Sequence, residues 1–265
     1  MSTTQERTSQ AADTGAAQET IAHDERRPLR SYLFMPVVLA VALLALYLWI
    51  SSQDLGSRES ERLNASSIIS STQEHIVITL VSTALVLVIA IPLGVMLTRA
   101  GLSKIITPAI AVFNVGQALP TIGLLALAAL VWDIGFWPVV VSLVVYTVLP
   151  VLRNTMVGLQ QVDPAVVEAA RGMGMTPRAV LFRIELPLAV PIMMAGARTA
   201  LVINVGTAAL GAFVGVGTLG SIIIAGTQAS LDRVVIVGAA LTAVLALLVD
   251  YLAGIAEDLL RPRGL

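Results

Sequence analysis

The sequence predicts an all-α integral membrane protein with about six transmembrane helices, and three observations carry that prediction. Hydrophobic residues make up 57% of the chain and charged residues only 12%, where soluble domains carry about 25% charged residues. Mean hydropathy is +0.88. Long uncharged runs recur along the chain, separated by short charged connections. The net charge of −1 says little about partners, whereas the distribution of charge says more. The absence of cysteine excludes disulfides and thiolate metal sites.

Residues 1–30 are rich in Ser, Thr, Gln, Ala and Glu without apolar periodicity, the composition of a disordered tail. Arg26, Arg27 and Arg30 then precede an uncharged run over residues 33–50. That run exceeds a typical signal-peptide core and no A-x-A site follows it, so an uncleaved anchor is expected. Residues 52–74 are polar and read as an external linker. Asn64-Ala65-Ser66 spells a glycosylation sequon there, which chance explains. Residues 76–98 form an uncharged span, long enough for a core that needs about 20 residues. Arg99 and Lys104 bracket a short turn.

Residues 105–132 are uncharged, too long for one straight span and too short for two. Pro108, Gly116, Pro120 and Gly123 predict a broken or kinked helix, which at membrane depth must be covered by protein or line a watery path. Asp133 marks a turn, and residues 136–152 form the next span. After a polar island, a span containing Arg198 begins. Residues 199–231 are uncharged and glycine-rich, fitting one span plus a short segment dipping back at the outer face. Asp232 and Arg233 mark the outer turn, and the last span runs from 234 to about 256, past Asp250.

Six spans with both ends inside distribute Lys and Arg unevenly. Twelve fall on inner segments, three (Arg58, Arg62, Arg233) on outer ones, and Arg198 lies within a span. That asymmetry supports the topology and places the polar island in the cytoplasm.

The island, residues 162–187, holds Asp163, Glu168, Arg171, Arg178, Arg183 and Glu185 between apolar runs. Asp163-Pro164 and Thr176-Pro177 each read as an N-cap followed by proline at the first helical position. Gly172 and Gly174 can supply a left-handed stop between two short helices. Pro187 ends the second helix or starts the next span. Val166, Val167, Ala170 and Met173 form an apolar stripe rimmed by charge, suited to a partner's groove. An ordinary loop packed on its own protein is the alternative.

Catalytic signals are weak. Gly215-Val216-Gly217-Thr218-Leu219-Gly220 matches G-x-G-x-x-G by letter but lacks the strand, the βαβ unit and the downstream acid. No Walker lysine motif and no HExxH occurs. His23 and His75 read as solvated surface residues. Among polar residues within spans, Asn114, Gln117, Thr121, Asn204 and Thr207 stand out, each open to interhelical bonding or to lining a path. Asn114, Gln117 and Thr121 flank the break at Pro120 at helical offsets, which favours a solute pathway there. Arg198 reads as snorkelling to the inner interface, and Asp250 as a boundary residue. With no buried carboxylate expected, ion coupling has no evident carrier.

Glu168-Ala169-Ala170, then Gly174, then Ile184-Glu185-Leu186-Pro187 resembles the EAA signature of permease subunits of binding-protein-dependent ABC importers. The resemblance covers about residues 74–256. Gly116-Gln117-Ala118-Leu119-Pro120-Thr121-Ile122-Gly123 and Leu149-Pro150-Val151-Leu152-Arg153-Asn154-Thr155 look most like permeases for quaternary-ammonium osmoprotectants such as glycine betaine, choline, carnitine and proline betaine.

The resemblance implies five helices in a type I permease core, residues 75–257, plus an N-terminal anchor, residues 31–51. A cytoplasmic coupling loop over 159–187 and a tail over 258–265 complete the chain. Asp163, Glu168, Ala169, Ala170, Arg171, Gly174, Leu186 and Pro187 are implied in docking an ATPase. Asn114, Gln117, Pro120, Thr121, Asn204 and Thr207 are candidates for the translocation path, and no catalytic or metal-ligating residue is expected. The implied partners are ABC ATPase subunits, an extracytoplasmic binding protein, a second permease subunit and the lipid bilayer, with no nucleic acid. ATP and Mg would sit on the ATPase, and this chain would bind no cofactor. An importer of amino acids, an ATP-independent secondary transporter and a membrane scaffold are the rivals.

Overall fold

The computed structural model of the chain describes residues 29–99, 101 and 103–260. The greater part of the expected disordered tail, Lys104's side chain, and Arg261 and Arg263 lie outside the described residues. Helix α1, Leu29–Ser51, is apolar all round, with Leu33, Phe34, Val41 and Leu48 exposed. Such a helix needs lipid or protein on every side.

The expected linker, residues 52–74, is largely helical. Helix α2, Ser57–Arg62, is opened by the Gly56 N–H donating to Glu59 Oε2 at 3.0 Å. Arg233 donates to Glu59 Oε2 and to the Asp54 carbonyl, both at 3.2 Å. The linker is thereby tied to the turn before the last helix, matching the outer placement of both by charge. Asn64 is the N-cap of α3, Ala65–Leu97, its Oδ1 accepting from the Ser67 N–H at 2.8 Å. At 33 residues, α3 runs about 50 Å, well beyond a hydrocarbon core of about 30 Å.

Helices α4, Ser103–Ala118, and α5, Thr121–Trp132, meet at 95°. The predicted break therefore lies at Leu119 and Pro120. Proline lacks the N–H to continue α4 and stands just outside α5 as its N-cap. After the turn at Asp133 comes α6, Phe136–Gln160. The island contributes α7, Pro164–Gly172, and α8, Pro177–Val180. Helix α9, Leu186–Ala208, leads into a 3₁₀ segment, Ala209–Val214. The glycine-rich stretch then forms a short helix α10, Leu219–Gln228, before α11, Asp232–Leu260. Among the described residues five helical stretches are long and apolar enough to span, and six if the bent α4–α5 pair counts as one.

Helix α6 is the central element. Leu149 and Leu152 pack with Val86 and Ala90 of α3 and Ala200 of α9. A second cluster joins Ile78, Leu125, Val139, Leu143 and Ala208. A third uses Val205, Leu219, Ile222, Val234 and Leu245 to hold α10 and α11. Small residues let the backbones approach: a Cβ on Gly94 would sit 2.8 Å from Thr155, and one on Gly220 would overlap the Ala209 carbonyl.

Two expectations are corrected here. His75 is fully buried, its Nε2 2.8 Å from the Val205 carbonyl, because the lengthened α3 turns that face onto α9. Arg198 does not snorkel: it forms a two-pronged pair with Asp250, Nε–Oδ1 2.6 Å and Nη2–Oδ2 2.7 Å, with Glu257 at 3.5 Å. Asp250 is thus a partner across α9 and α11 rather than a boundary marker. Gly254 makes room for the guanidinium, since a Cβ there would lie 3.3 Å from Nη1.

Candidate functional site

The island is built as the capping chemistry dictates. Asp163 Oδ1 accepts from the Ala165 N–H at 2.8 Å, and Pro164 takes the first helical position of α7. Asp163 at its start and Arg171 in its last turn both complement the helix dipole. The helix ends in a Schellman motif. Gly174 adopts φ +83°, its N–H donates to the Arg171 carbonyl at 2.9 Å, and the Met175 N–H to the Ala170 carbonyl at 3.2 Å. Gly174 alone supplies the left-handed stop, and Gly172 remains helical. Thr176 then caps α8, its Oγ1 accepting from the Ala179 N–H at 3.3 Å.

The second helix does not stop at Pro187. It passes through a π-type turn, Leu181–Glu185, in which the Leu186 N–H donates to the Leu181 carbonyl five residues back, and continues as α9. Pro187 follows directly on this turn, as the second residue of α9. Leu186 and Pro187 are half-buried at this junction. Glu185 is buried, with Arg99 Nη2 2.6 Å from Oε2, so the turn after α3 is tied to the island. This corrects the expectation of no buried carboxylate.

Of the other loop residues, Glu168, Ala169 and Arg171 are exposed, and Ala170 is buried at 1%. The expected apolar stripe divides accordingly. Ala170 packs on the protein itself, Val167 is half-buried, and Val166 and Met173 face outward. Phe182, missed from sequence, joins them at 66% exposure. It lies in the island's second helix, outside the stripe read from the first.

The path candidates separate into two groups. Asn204 is fully buried, its Nδ2 donating to Thr83 Oγ1 at 2.9 Å and its Oδ1 accepting from Thr147 Oγ1 at 3.2 Å. It cross-links α3, α6 and α9, the interhelical bonding that was one of the two readings open to it. Thr207 is half-buried and bonds back to the Ile203 carbonyl at 2.7 Å. Asn114 and Pro120 are exposed, and Gln117 and Thr121 half-buried, around the 95° bend. Arg153 of α6, which the charge count placed at the mouth of the island, lies well inside its helix and donates from Nη2 to Asn114 Oδ1 at 2.9 Å. Sequence spacing could not pair them across 39 positions.

The chain is similar to known permeases over most of its length. The choline transport system permease protein OpuBB of Bacillus subtilis is 38% identical over 202 residues, covering 76% of this chain and 92% of that protein. The carnitine transport permease protein OpuCD of Listeria monocytogenes is 40% identical over 200 residues, 75% and 89% of the two chains. The osmoprotectant import permease protein OsmY of Salmonella typhimurium is 36% identical over 216 residues, 81% and 89%. Among solved structures, an inward-facing MetNI methionine ABC transporter chain superposes with a TM-score of 0.67 and 26% identity, covering 75% of this chain and 98% of that one. Residues 90–262 match the model of the binding-protein-dependent transport system inner membrane component. With multiple apolar spans, a capped loop carrying the EAA spacing, and these likenesses together, the chain belongs to the family of binding-protein-dependent transport system inner membrane components.

Proposed function

We propose that this chain is the membrane-spanning permease of an ATP-driven importer of quaternary-ammonium osmoprotectants. Glycine betaine, choline, carnitine and proline betaine are the candidate solutes. The observation that carries this is the island. The EAA spacing folds into a capped helix whose Val166 and Met173, with Phe182 beyond it, present apolar surface beside exposed charge. Exposed apolar side chains rimmed by charge are the mark of an interaction surface. An ATPase subunit is the proposed cover, holding ATP and Mg itself while this chain performs no hydrolysis.

The working cycle would run through the island. ATP-driven closure of two ATPase subunits pulls α7, and the Schellman turn and the π-type turn carry that displacement into α9. The Arg99–Glu185 pair passes it on to the end of α3. A second permease subunit, identical or related, would complete the path, and an extracytoplasmic binding protein would deliver solute. Both termini lie in the cytoplasm in this reading. The names of the relatives support the osmoprotectant class, and the likeness to a methionine transporter chain supports an amino-acid importer as the second reading.

The test is uptake of radiolabelled glycine betaine into vesicles carrying the permease, with and without its ATPase and binding protein. Uptake that requires all components and ATP is expected. Uptake driven by an ion gradient alone would refute the importer, and ATP-dependent uptake of an amino acid instead of betaine would favour the second reading.

A further inference from the structure

The connection between α5 and α6 borders a hollow of about 460 Å³, and three of its lining residues are aromatic: Trp132, Phe136 and Trp137. The two indoles are more than half exposed, at 62% and 61%. Phe136 is half-buried on the second apolar cluster and meets Trp137 with ring centres 5.4 Å apart and planes at 88°. Two aromatic walls therefore stand at right angles. Among the described residues, Asp133 is the only charge in the lining, and no cation pairs with it. It is exposed.

Asp133 is held there at a cost. Its φ of +110° and ψ of 169° fall in a region that is essentially glycine's. Its Oδ1 accepts the neighbouring Ile134 N–H at 2.8 Å, which closes the turn without neutralising the charge. The connection also has a firm base. A Cβ on Gly215 would lie 2.7 Å from Ile134 Cγ2, so the connection packs onto the turn that follows α9 and its 3₁₀ extension. In the proposed topology this is the outer face. Tryptophans at a membrane interface commonly serve as anchors, and that role asks only that each indole sit at headgroup level. It does not call for a carboxylate set among the rings on strained backbone.

A quaternary ammonium group has no N–H to donate, so hydrogen-bond acceptors do not select it. What holds it is the negative face of an aromatic ring, indole best of all, together with a nearby anion. We propose that the hollow between Trp132 and Trp137, with Asp133 beside it, receives the quaternary ammonium head of the transported solute at the outer mouth. That group is common to glycine betaine, choline, carnitine and proline betaine, so the hollow takes the whole class. A half-open site binds weakly, which lets the solute move on. The proposal rests on the importer reading above and deepens it.

Trp49 is the only other tryptophan in the chain. In a full-length Trp49→Phe permease, in nanodiscs of phosphatidylglycerol, indole fluorescence therefore reports the hollow alone. Tetramethylammonium chloride is expected to give a saturable change, and glycine betaine and choline should do the same. Sodium chloride at equal ionic strength and tert-butanol, similar in size but uncharged, should give none. Trp137→Leu, read through Trp132, should weaken tetramethylammonium binding by about 2- to 30-fold, the range for a ring against a cation. Asp133→Asn should weaken it by about two- to fivefold. No saturable response, an equal response to tert-butanol, a response confined to tetramethylammonium, or unchanged affinity in either variant would each overturn the proposal. Loss of the response when phosphatidylcholine replaces phosphatidylglycerol would assign the hollow to lipid headgroups and overturn it too. Retained binding of the ATPase serves as the folding control. If Trp137→Leu fails that control, the exposed Asp133→Asn decides alone, and its unchanged affinity overturns the proposal. ATP-dependent betaine uptake with no fluorescence response would refute the hollow alone, whereas ATP-independent uptake would refute the importer and leave the response measurable.

Discussion

Replacing Gly174 isolates a backbone effect from a steric one. A Cβ at this position would meet nothing within 4 Å, yet the residue holds φ +83°. The cost of substitution therefore comes from the left-handed conformation alone, about 1–2 kcal/mol for an ordinary L-residue. A β-branched side chain pays at the upper end or above it, and asparagine pays less because it visits this region readily. If the penalty displaces α7 from its Schellman closure, ATPase docking should weaken by about 5- to 30-fold for alanine and valine. Gly174→Asn should lose only a few-fold. The measurement is ATPase affinity for each purified permease in lipid nanodiscs, with membrane insertion checked separately. A loss that tracks side-chain volume, with asparagine worse than alanine, would refute the conformational reasoning. Valine binding as tightly as glycine would refute the docking role.

Asn204→Ala removes two buried interhelical hydrogen bonds and should lower stability by about 1 kcal/mol, since such bonds in membranes average about 0.6 kcal/mol each. Thermal unfolding in detergent reads this, and an altered solute profile with unchanged stability would assign Asn204 to the path. Arg198→Leu should destabilise more than Asp250→Asn, because the former removes the one cation that both Asp250 and Glu257 pair with while the latter leaves Glu257 within reach of the guanidinium; the reverse order in unfolding midpoints would contradict the cluster geometry. Arg99→Gln and Glu185→Gln should each reduce coupling of ATP hydrolysis to uptake, and the double variant should be no worse than either alone. Additive losses, measured as solute moved per ATP, would show that the two residues do not act as a pair.

The island was the part of the site most legible from sequence. Asp163, Thr176 and Gly174 act on backbone groups within a few residues, so their roles follow from spacing. Pro120 announced the break between α4 and α5 for the same reason, although the 95° bend was not readable from it. The π-type turn at Leu181–Glu185 was missed because proline after a short helix reads equally as a stop or as a start. His75 was misplaced, and Asn204 left open between two readings, because a polar residue in an apolar helix has no local mark of whether it meets water or a neighbour.

What the sequence determined by itself was which stretches enter the bilayer, where one of them breaks and how the connecting loop is capped. Those properties arise from hydropathy summed along the chain and from hydrogen bonds closed over three to five residues. Only the tertiary structure decided which polar side chains meet: Asn204 with Thr83 across 121 positions, His75 with Val205 across 130, Arg198 with Asp250 across 52, and Arg153 with Asn114 across 39. Each pairing depends on the rotation and depth at which two helices pack, and that is set by the close approach of small residues on opposite faces, which no local pattern encodes.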